Sequence, residues 1–130
     1  MIYLDSCAIV KLLRVEAESA ALRSWLADKG EPLVVSTLAR VEVARALRRV
    51  EPAALYLVDE VFAVMQHKSI NDQILTAAAG YEDLNLRSLD ALHLATAEEF
   101  RNLLKWFVSY DHRLVSAAKN RGLSVISPSW

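Results

Sequence analysis

The chain has 130 residues, 54% hydrophobic and 24% charged, with a formal net charge of −1. That length fits one domain, residues 1–130, with enough apolar mass for its own core, and the near-neutral balance gives no overall signal for a polyanionic partner. A single cysteine, Cys7, excludes an internal disulfide and, with three scattered histidines, completes no zinc site; with neither a basic leader nor a long apolar stretch, no membrane span is predicted and a cytoplasmic protein is expected.

Ile2-Tyr3-Leu4 is an apolar run too short for a helix and ended by Asp5-Ser6, so it reads as a buried strand. Helical patterns follow over residues 8–14 and 17–29, the second closed by Gly30 with Pro32 just beyond. Leu33-Val34-Val35 is the second predicted strand. Ser36 and Thr37 are good N-caps for a helix reaching Val50, and Pro52 breaks it and opens another over residues 53–65. Asn71-Asp72 precedes a helix ending near Tyr81, and Ser88 is placed to cap one over residues 89–102. Trp106-Phe107-Val108 is the third strand. A helix over residues 111–121 ends at Gly122, and Ser124-Val125-Ile126 is the fourth strand. Strands that are continuously apolar and alternate with helices imply a parallel sheet covered on both faces, a three-layer α/β/α domain.

In such a sheet, active groups gather beyond the carboxyl ends of the strands. Asp5 directly follows the first strand, and Asp111 follows the third after Ser109 and Tyr110, so both should enter one crevice. Asp90 lies in Leu89-Asp90-Ala91-Leu92-His93-Leu94, a helix apolar on nearly every side and therefore predicted to be buried. A buried carboxylate needs a partner or a cation, and His93, one turn on, is a candidate partner. Glu42 lies at the edge of the apolar face of the helix beyond the second strand. Each acid also has a plain structural reading. Asp5 and Asp111 fit ordinary helix caps, Asp90 suits the positive end of its helix, and Glu42 fits an ion pair with Arg45. Convergence at one sheet edge favours function. Clustered carboxylates repel one another, and a hard divalent cation relieves that repulsion, with oxygen ligands selecting Mg²⁺ or Mn²⁺. Phosphodiester hydrolysis by a metal-activated water is the natural chemistry.

These residues resemble the PIN-domain family. Met1-Ile2-Tyr3-Leu4-Asp5-Ser6-Cys7-Ala8 looks like its opening strand and turn, and Ser36-Thr37-Leu38-Ala39-Arg40-Val41-Glu42-Val43 like its second motif. Leu86-Arg87-Ser88-Leu89-Asp90-Ala91-Leu92-His93-Leu94-Ala95 is the most specific match, and Phe107-Val108-Ser109-Tyr110-Asp111-His112-Arg113-Leu114 supplies the fourth. Length and opening are similar to VapC-type toxins of bacterial toxin–antitoxin modules. Cys7 departs mildly from the pattern, where a small Ser or Ala is commoner. The resemblance implies a Mg²⁺- or Mn²⁺-dependent endoribonuclease leaving 3′-hydroxyl and 5′-phosphate ends, a homodimer, and a cognate antitoxin that holds it inactive. It matches Asp5, Glu42, Asp90 and Asp111 to the family's acids, and Ser6 to a small hydroxyl residue beside the first.

The acids alone would repel RNA, so cations are expected nearby. Arg40, Arg45, Arg48 and Arg49 share the helix of Glu42, with Arg45 and Arg49 the chosen substrate contacts. Lys11, Arg14 and Arg87 flank other acids. Each is also compatible with a solvated surface. His67, His93 and His112 form no catalytic set by spacing, and His93 reads as a buried, hydrogen-bonded helix residue. Trp25, Trp106 and Trp130 read as packing residues. Residues 53–65 carry Leu57, Val58, Val61, Phe62 and Met65 at helical spacing, which fits core packing or an arm gripping an antitoxin helix. The alternatives are another metal-dependent phosphohydrolase and a non-catalytic interaction module. The first lacks a second acid two residues after Asp5 and any nucleotide-binding glycine loop; the second is disfavoured by intact acids at all four positions.

Overall fold

The structure is a computed structural model that describes all residues, Met1 to Trp130. Five strands form one parallel sheet in the order β3-β2-β1-β4-β5. They are β1 (Ile2–Leu4), β2 (Leu33–Ser36), β3 (Gln66–Lys68), β4 (Trp106–Val108) and β5 (Val125–Ile126). The helices are α1 (Ser6–Leu13), α2 (Ser19–Lys29), α3 (Leu38–Val50), α4 (Val58–Ala63), α5 (Asp72–Gly80), α6 (Ser88–Glu98) and α7 (His112–Asn120). Every strand pair is parallel, with Tyr3 opposite both Val34 and Phe107.

The pleat sorts the apolar runs into two cores. Ile2, Leu4, Val35 and Val108 face one side, where they meet Ala8, Ile9 and Leu13 of α1, Val43 and Leu47 of α3, and Phe62 of α4. Tyr3, Val34 and Phe107 face the other, against Leu94 and Ala97 of α6 and Leu114, Ala117 and Ala118 of α7. A strand buried on both faces has no reason to alternate in polarity, which is why these segments read as unbroken apolar runs. The expected three-layer α/β/α architecture is the one observed.

Several expectations change in detail. The sheet has a fifth strand, β3, which pairs Val35 with His67 and Ser36 with Lys68. It is short, polar and at the sheet edge, with Gln66 and His67 exposed, so hydrophobic pattern cannot reveal it. The helix expected over residues 53–65 is a 3₁₀ turn (Pro52–Leu57) followed by α4, and it packs Val58, Phe62 and Met65 into the core. Thr37 stands at the N-cap of α3 without a side-chain cap bond, and Ser36 supplies the acceptor instead, its Oγ accepting from the Leu38 N–H at 3.1 Å. Ser88 opens α6 as a helical residue and makes no cap bond, and α6 stops at Glu98 instead of 102. Trp25 packs edge-on against Trp106 at 5.7 Å, but Trp130 is 86% exposed and packs in no core. Gly30 closes α2 at φ +60°, a conformation that costs a residue with a Cβ about 1–2 kcal/mol.

A carboxylate staple ties the far ends of the second-face helices together. Glu98 at the end of α6 accepts from the Tyr81 hydroxyl at 2.7 Å, from Arg101 at 3.0 Å and from Arg121 after α7. Burial opposes its ionisation, but these donors more than offset that and hold its pKa below the ordinary 4.5. Folding therefore gains from ionised Glu98 above the unfolded pKa, and the gain disappears as pH falls through the lower folded value. Glu98→Gln should be less stable than wild type at pH 7, with the gap closing in acid. Denaturant melts of both proteins across that range check it, and a gap that stays constant with pH would refute the staple.

Candidate active site

The crossovers put β2 and β3 on one side of β1 and β4 and β5 on the other, so the chain reverses direction across the sheet between β1 and β4. A crevice opens beyond the carboxyl ends at such a point. Here it measures about 870 Å³, and Asp5, Glu42, Asp90 and Asp111 all line it. Four sequence-distant acids thus reach one place from four elements. Asp5 sits at the end of β1, Glu42 on the second turn of α3, Asp90 on the first turn of α6 and Asp111 just past β4. A smaller lobe of about 350 Å³ continues from it and shares Glu42, Asp90 and Asp111.

Each acid is held differently. Asp5 is 3% exposed and caps α1, its Oδ1 accepting from the Ala8 N–H at 3.0 Å and from the Cys7 thiol at 2.9 Å. The buried Ser109 hydroxyl donates to its Oδ2 and also accepts from the Asp111 N–H at 3.1 Å, linking the two acids. Burial nevertheless raises the Asp5 pKa, against the lowering effect of those donors. It also pushes the Cys7 thiol well up, with the Asp5 charge adding to the effect, so Cys7 serves as a donor to Asp5 and not as a thiolate. Asp111 caps α7 through Oδ1, which accepts from the Arg113 and Leu114 N–H groups at 2.9 and 3.0 Å. The cap readings of Asp5 and Asp111 are therefore true, and they coexist with a place in the crevice.

Glu42 does not pair with Arg45. Its Oε1 accepts from the Ser6 hydroxyl and from His93 Nε2, both at 2.6 Å. Burial opposes its ionisation, but the His93 bond and charge and the Ser6 bond outweigh it, and its pKa is lowered. His93 is buried and hydrogen-bonded as expected, but its partner is Glu42 and not Asp90. The α6 register sends His93 toward α3, one turn beyond Asp90 on the same helix.

Asp90 is half-buried, less than the all-apolar helix suggested, and its ionisation responds to burial and charge alone. Burial raises its pKa, then the charge of Asp111, with Asp5 and Glu42 adding and His93 opposing. The acids therefore repel one another as placed. No three His, Cys, Asp or Glu side chains close into a ready-made ligand cage. The donor set is all oxygen, open and anionic, which suits a hard cation that keeps several of its waters and takes only one or two carboxylates directly.

The cations divide. Arg45 and Arg49 line the large lobe, as does Lys11. Lys11 is spent on Glu18 at 2.9 Å, and Arg14 turns to Glu16 and Glu51. Arg40 and Arg48 line neither lobe. Arg87 and Arg113 border the smaller lobe. Reading the sequence missed Arg113, whose place follows only from the turn of α7, and Ser109, whose single hydroxyl gave no periodic signal.

The model of the PIN domain matches residues 2–120, and the chain belongs to the PIN-domain family. It is 44% identical over 131 residues to ribonuclease VapC35 of Mycobacterium tuberculosis, a match covering 98% of this chain and 97% of that protein. That full-length likeness puts the chain among the VapC ribonucleases. Two solved structures share the fold at low identity. One is Mycobacterium tuberculosis VapC20, described as a sarcin-ricin loop cleaving toxin, with TM-score 0.78, 15% identity and coverage of 98% of this chain and 100% of that one. The other is a toxin–antitoxin complex from Klebsiella pneumoniae, with TM-score 0.72, 17% identity and 98% coverage of both chains.

If the acids repel in the absence of a cation, Asp90→Asn should stabilise the metal-free protein. Its melting temperature should rise by about 2–8 °C, and the further rise that Mn²⁺ gives wild type should shrink. Differential scanning fluorimetry with and without Mn²⁺ checks both; a variant melting below wild type without metal would contradict the repulsion.

Proposed function

We propose that this chain is the toxin of a type II toxin–antitoxin module, a single-domain, divalent-metal-dependent endoribonuclease of the cytoplasm that acts as a homodimer and is held in check by a cognate antitoxin. The observation that carries the reading is the meeting of Asp5, Glu42, Asp90 and Asp111 in one crevice, with the Asp90 pKa raised by burial and then by its neighbours' charge. The ribonuclease name of the full-length relative supports RNA as substrate, and the toxin–antitoxin complex of like fold supports the partner. No helix is long and apolar enough to cross a membrane.

Asp5, Asp90 and Asp111 would hold Mg²⁺ or Mn²⁺, with Glu42 helping to hold it or to orient water; when bound, the cation neutralises the acids and stabilises charge on a phosphoryl oxygen. The chain's own residues do the positioning. Ser109 and the first turn of α1 fix Asp5, and Asp111 is fixed by the first turn of α7. Ser6 has its hydroxyl proton directed at Glu42, which leaves its oxygen lone pairs to accept from water or substrate. Arg45 and Arg49 on one lobe and Arg87 and Arg113 on the other would hold phosphates on either side of the acids, laying the strand across them. Attack by water on phosphorus, in line with the leaving 3′ oxygen, would form a P–O bond and break the P–O3′ bond, leaving a 5′-phosphate and, with a proton from the water, a 3′-hydroxyl.

Purified protein should cleave RNA in Mg²⁺ or Mn²⁺ and lose activity in excess chelator. Asp5→Ala and Asp90→Asn should each fall by about two orders of magnitude or more, as losses of groups serving one centre do. Full-rate cleavage in chelator, or wild-type activity of Asp90→Asn, would overturn the mechanism. Replacing Arg45 and Arg49 by Ala should weaken RNA binding and flatten its salt dependence by about 0.7 logarithmic units per arginine. Titrations at several salt concentrations read that slope, and an unchanged slope removes these arginines from the substrate path.

A further inference from the structure

The crevice leans on a line of polar side chains that runs into the core. Tyr3 is fully buried on β1 and stacks flat against Phe107, ring centroids 5.3 Å apart. Its hydroxyl lies 2.7 Å from Nδ1 of His93, which is itself 2% exposed. On the other side of the imidazole, Nε2 lies 2.6 Å from Oε1 of Glu42. A carboxylate only accepts, so Nε2 carries a proton and donates it to that bond. The Ser6 hydroxyl donates to the same oxygen at 2.6 Å and lies 3.2 Å from Nε2. Its one proton being used, the Ser6 oxygen can only share the His93 N–H.

This arrangement is costly for its place. A buried tyrosine hydroxyl and a buried imidazole must be fully paired to be tolerated, and an apolar pair of similar volume would fill the core without that requirement. What the polar pair achieves is orientation. Ser6 and His93 both act on Oε1, and neither acts on Oε2. The line joins β1, α6, α3 and α1, so one carboxylate is referenced to four elements at once.

We propose that His93 and Tyr3 are positioning residues for the reaction. Tyr3 fixes the plane of the His93 ring, and His93 with Ser6 fixes Oε1 of Glu42 so that Oε2 is the oxygen presented to the crevice. The inference rests on the nuclease reading above, and it adds residues that act through Glu42 without touching the substrate.

His93→Leu should lower kcat on RNA by about 10- to 100-fold while changing KM by less than about threefold, the usual cost of losing the partner of a site ligand. His93→Gln, which can still donate to Oε1, should recover most of that loss, and Tyr3→Phe should show a smaller fall in the same parameter. In a Glu42→Ala background His93→Leu should cost nothing further, because the two act as a unit. A loss that persists in that background, a fall in KM alone, or wild-type kcat in His93→Leu would overturn the proposal. Thermal melts identify any variant that fails to fold, and the Tyr3→Phe and His93→Gln pair then decides: no fall in Tyr3→Phe together with no activity in His93→Gln would overturn it. Independently of catalysis, ¹⁵N-labelled wild type should show a slowly exchanging His93 ring N–H resonance that is lost in Glu42→Ala. Its absence in wild type overturns the relay even if RNA is cleaved. Its presence in a protein that cleaves no RNA upholds the contact while the nuclease reading fails.

Discussion

The repulsion among four carboxylates brought to one sheet edge is the constraint around which the rest of the molecule is arranged. Left in water, each would ionise independently. Drawn together in a partly desolvated crevice, they bear on Asp90, which burial and then the charges of Asp111, Asp5 and Glu42 shift upward. Three of the four are held by donors: Asp5 by Ser109, Cys7 and the Ala8 N–H, Asp111 by the first turn of α7, and Glu42 by Ser6 and His93. The Asp90 carboxylate has no such donor. Open, anionic oxygens short of positive charge are the donor chemistry that suits a hard cation.

The fold supplies the geometry that makes such crowding tolerable. Adjacent residues of β1 serve opposite layers: Ile2 and Leu4 enter the core beneath α1 and α3, Tyr3 the core beneath α6 and α7. Asp5, the next residue along, leaves the sheet at its carboxyl edge. The same alternation that divides the apolar residues therefore delivers a carboxylate to the crevice and a phenol to the far side of His93. The two cores hold the elements rigidly enough that small helical offsets decide which acid meets which donor. His93 reaches Glu42 and misses Asp90, although Asp90 is the nearer in sequence.

Much of this was legible without coordinates. Every central strand announced itself as an apolar run, and the acids stood out because Asp5 and Asp111 followed strands, Asp90 opened an apolar helix and Glu42 sat at the edge of an apolar helix face beyond a strand. What the residues could not disclose was pairing. Glu42 has Arg45 one turn away, which is the default partner on an isolated helix, yet tertiary placement gives it Ser6 and His93 instead. Strand β3 was invisible because Gln66, His67 and Lys68 are held by backbone bonds to β2 at an open edge, where no hydrophobic pattern is required. Ser109 escaped notice for the opposite reason: it is fully buried, but a lone serine after a strand carries no periodicity.

Capping and catalysis are commonly weighed as rival explanations for an aspartate at a strand-to-helix turn. Here the two aspartates that cap helices also line the crevice. The backbone N–H groups at the start of a helix fix an aspartate's Oδ1 without requiring any other side chain, as Ala8 does for Asp5 and Leu114 for Asp111. A carboxylate has more acceptor positions than two such bonds consume, so the cap immobilises the group and leaves capacity over. It also lends positive potential from the helix terminus, which favours a carboxylate at that position. A parallel α/β sheet places a helix start beyond every central strand, so anchored acids collect at that edge as a consequence of its topology. Glu42, on the second turn of α3, is beyond the reach of such a cap and has the Tyr3–His93 line in its place; Asp90, on the first turn of α6, has the helix terminus but accepts no cap bond.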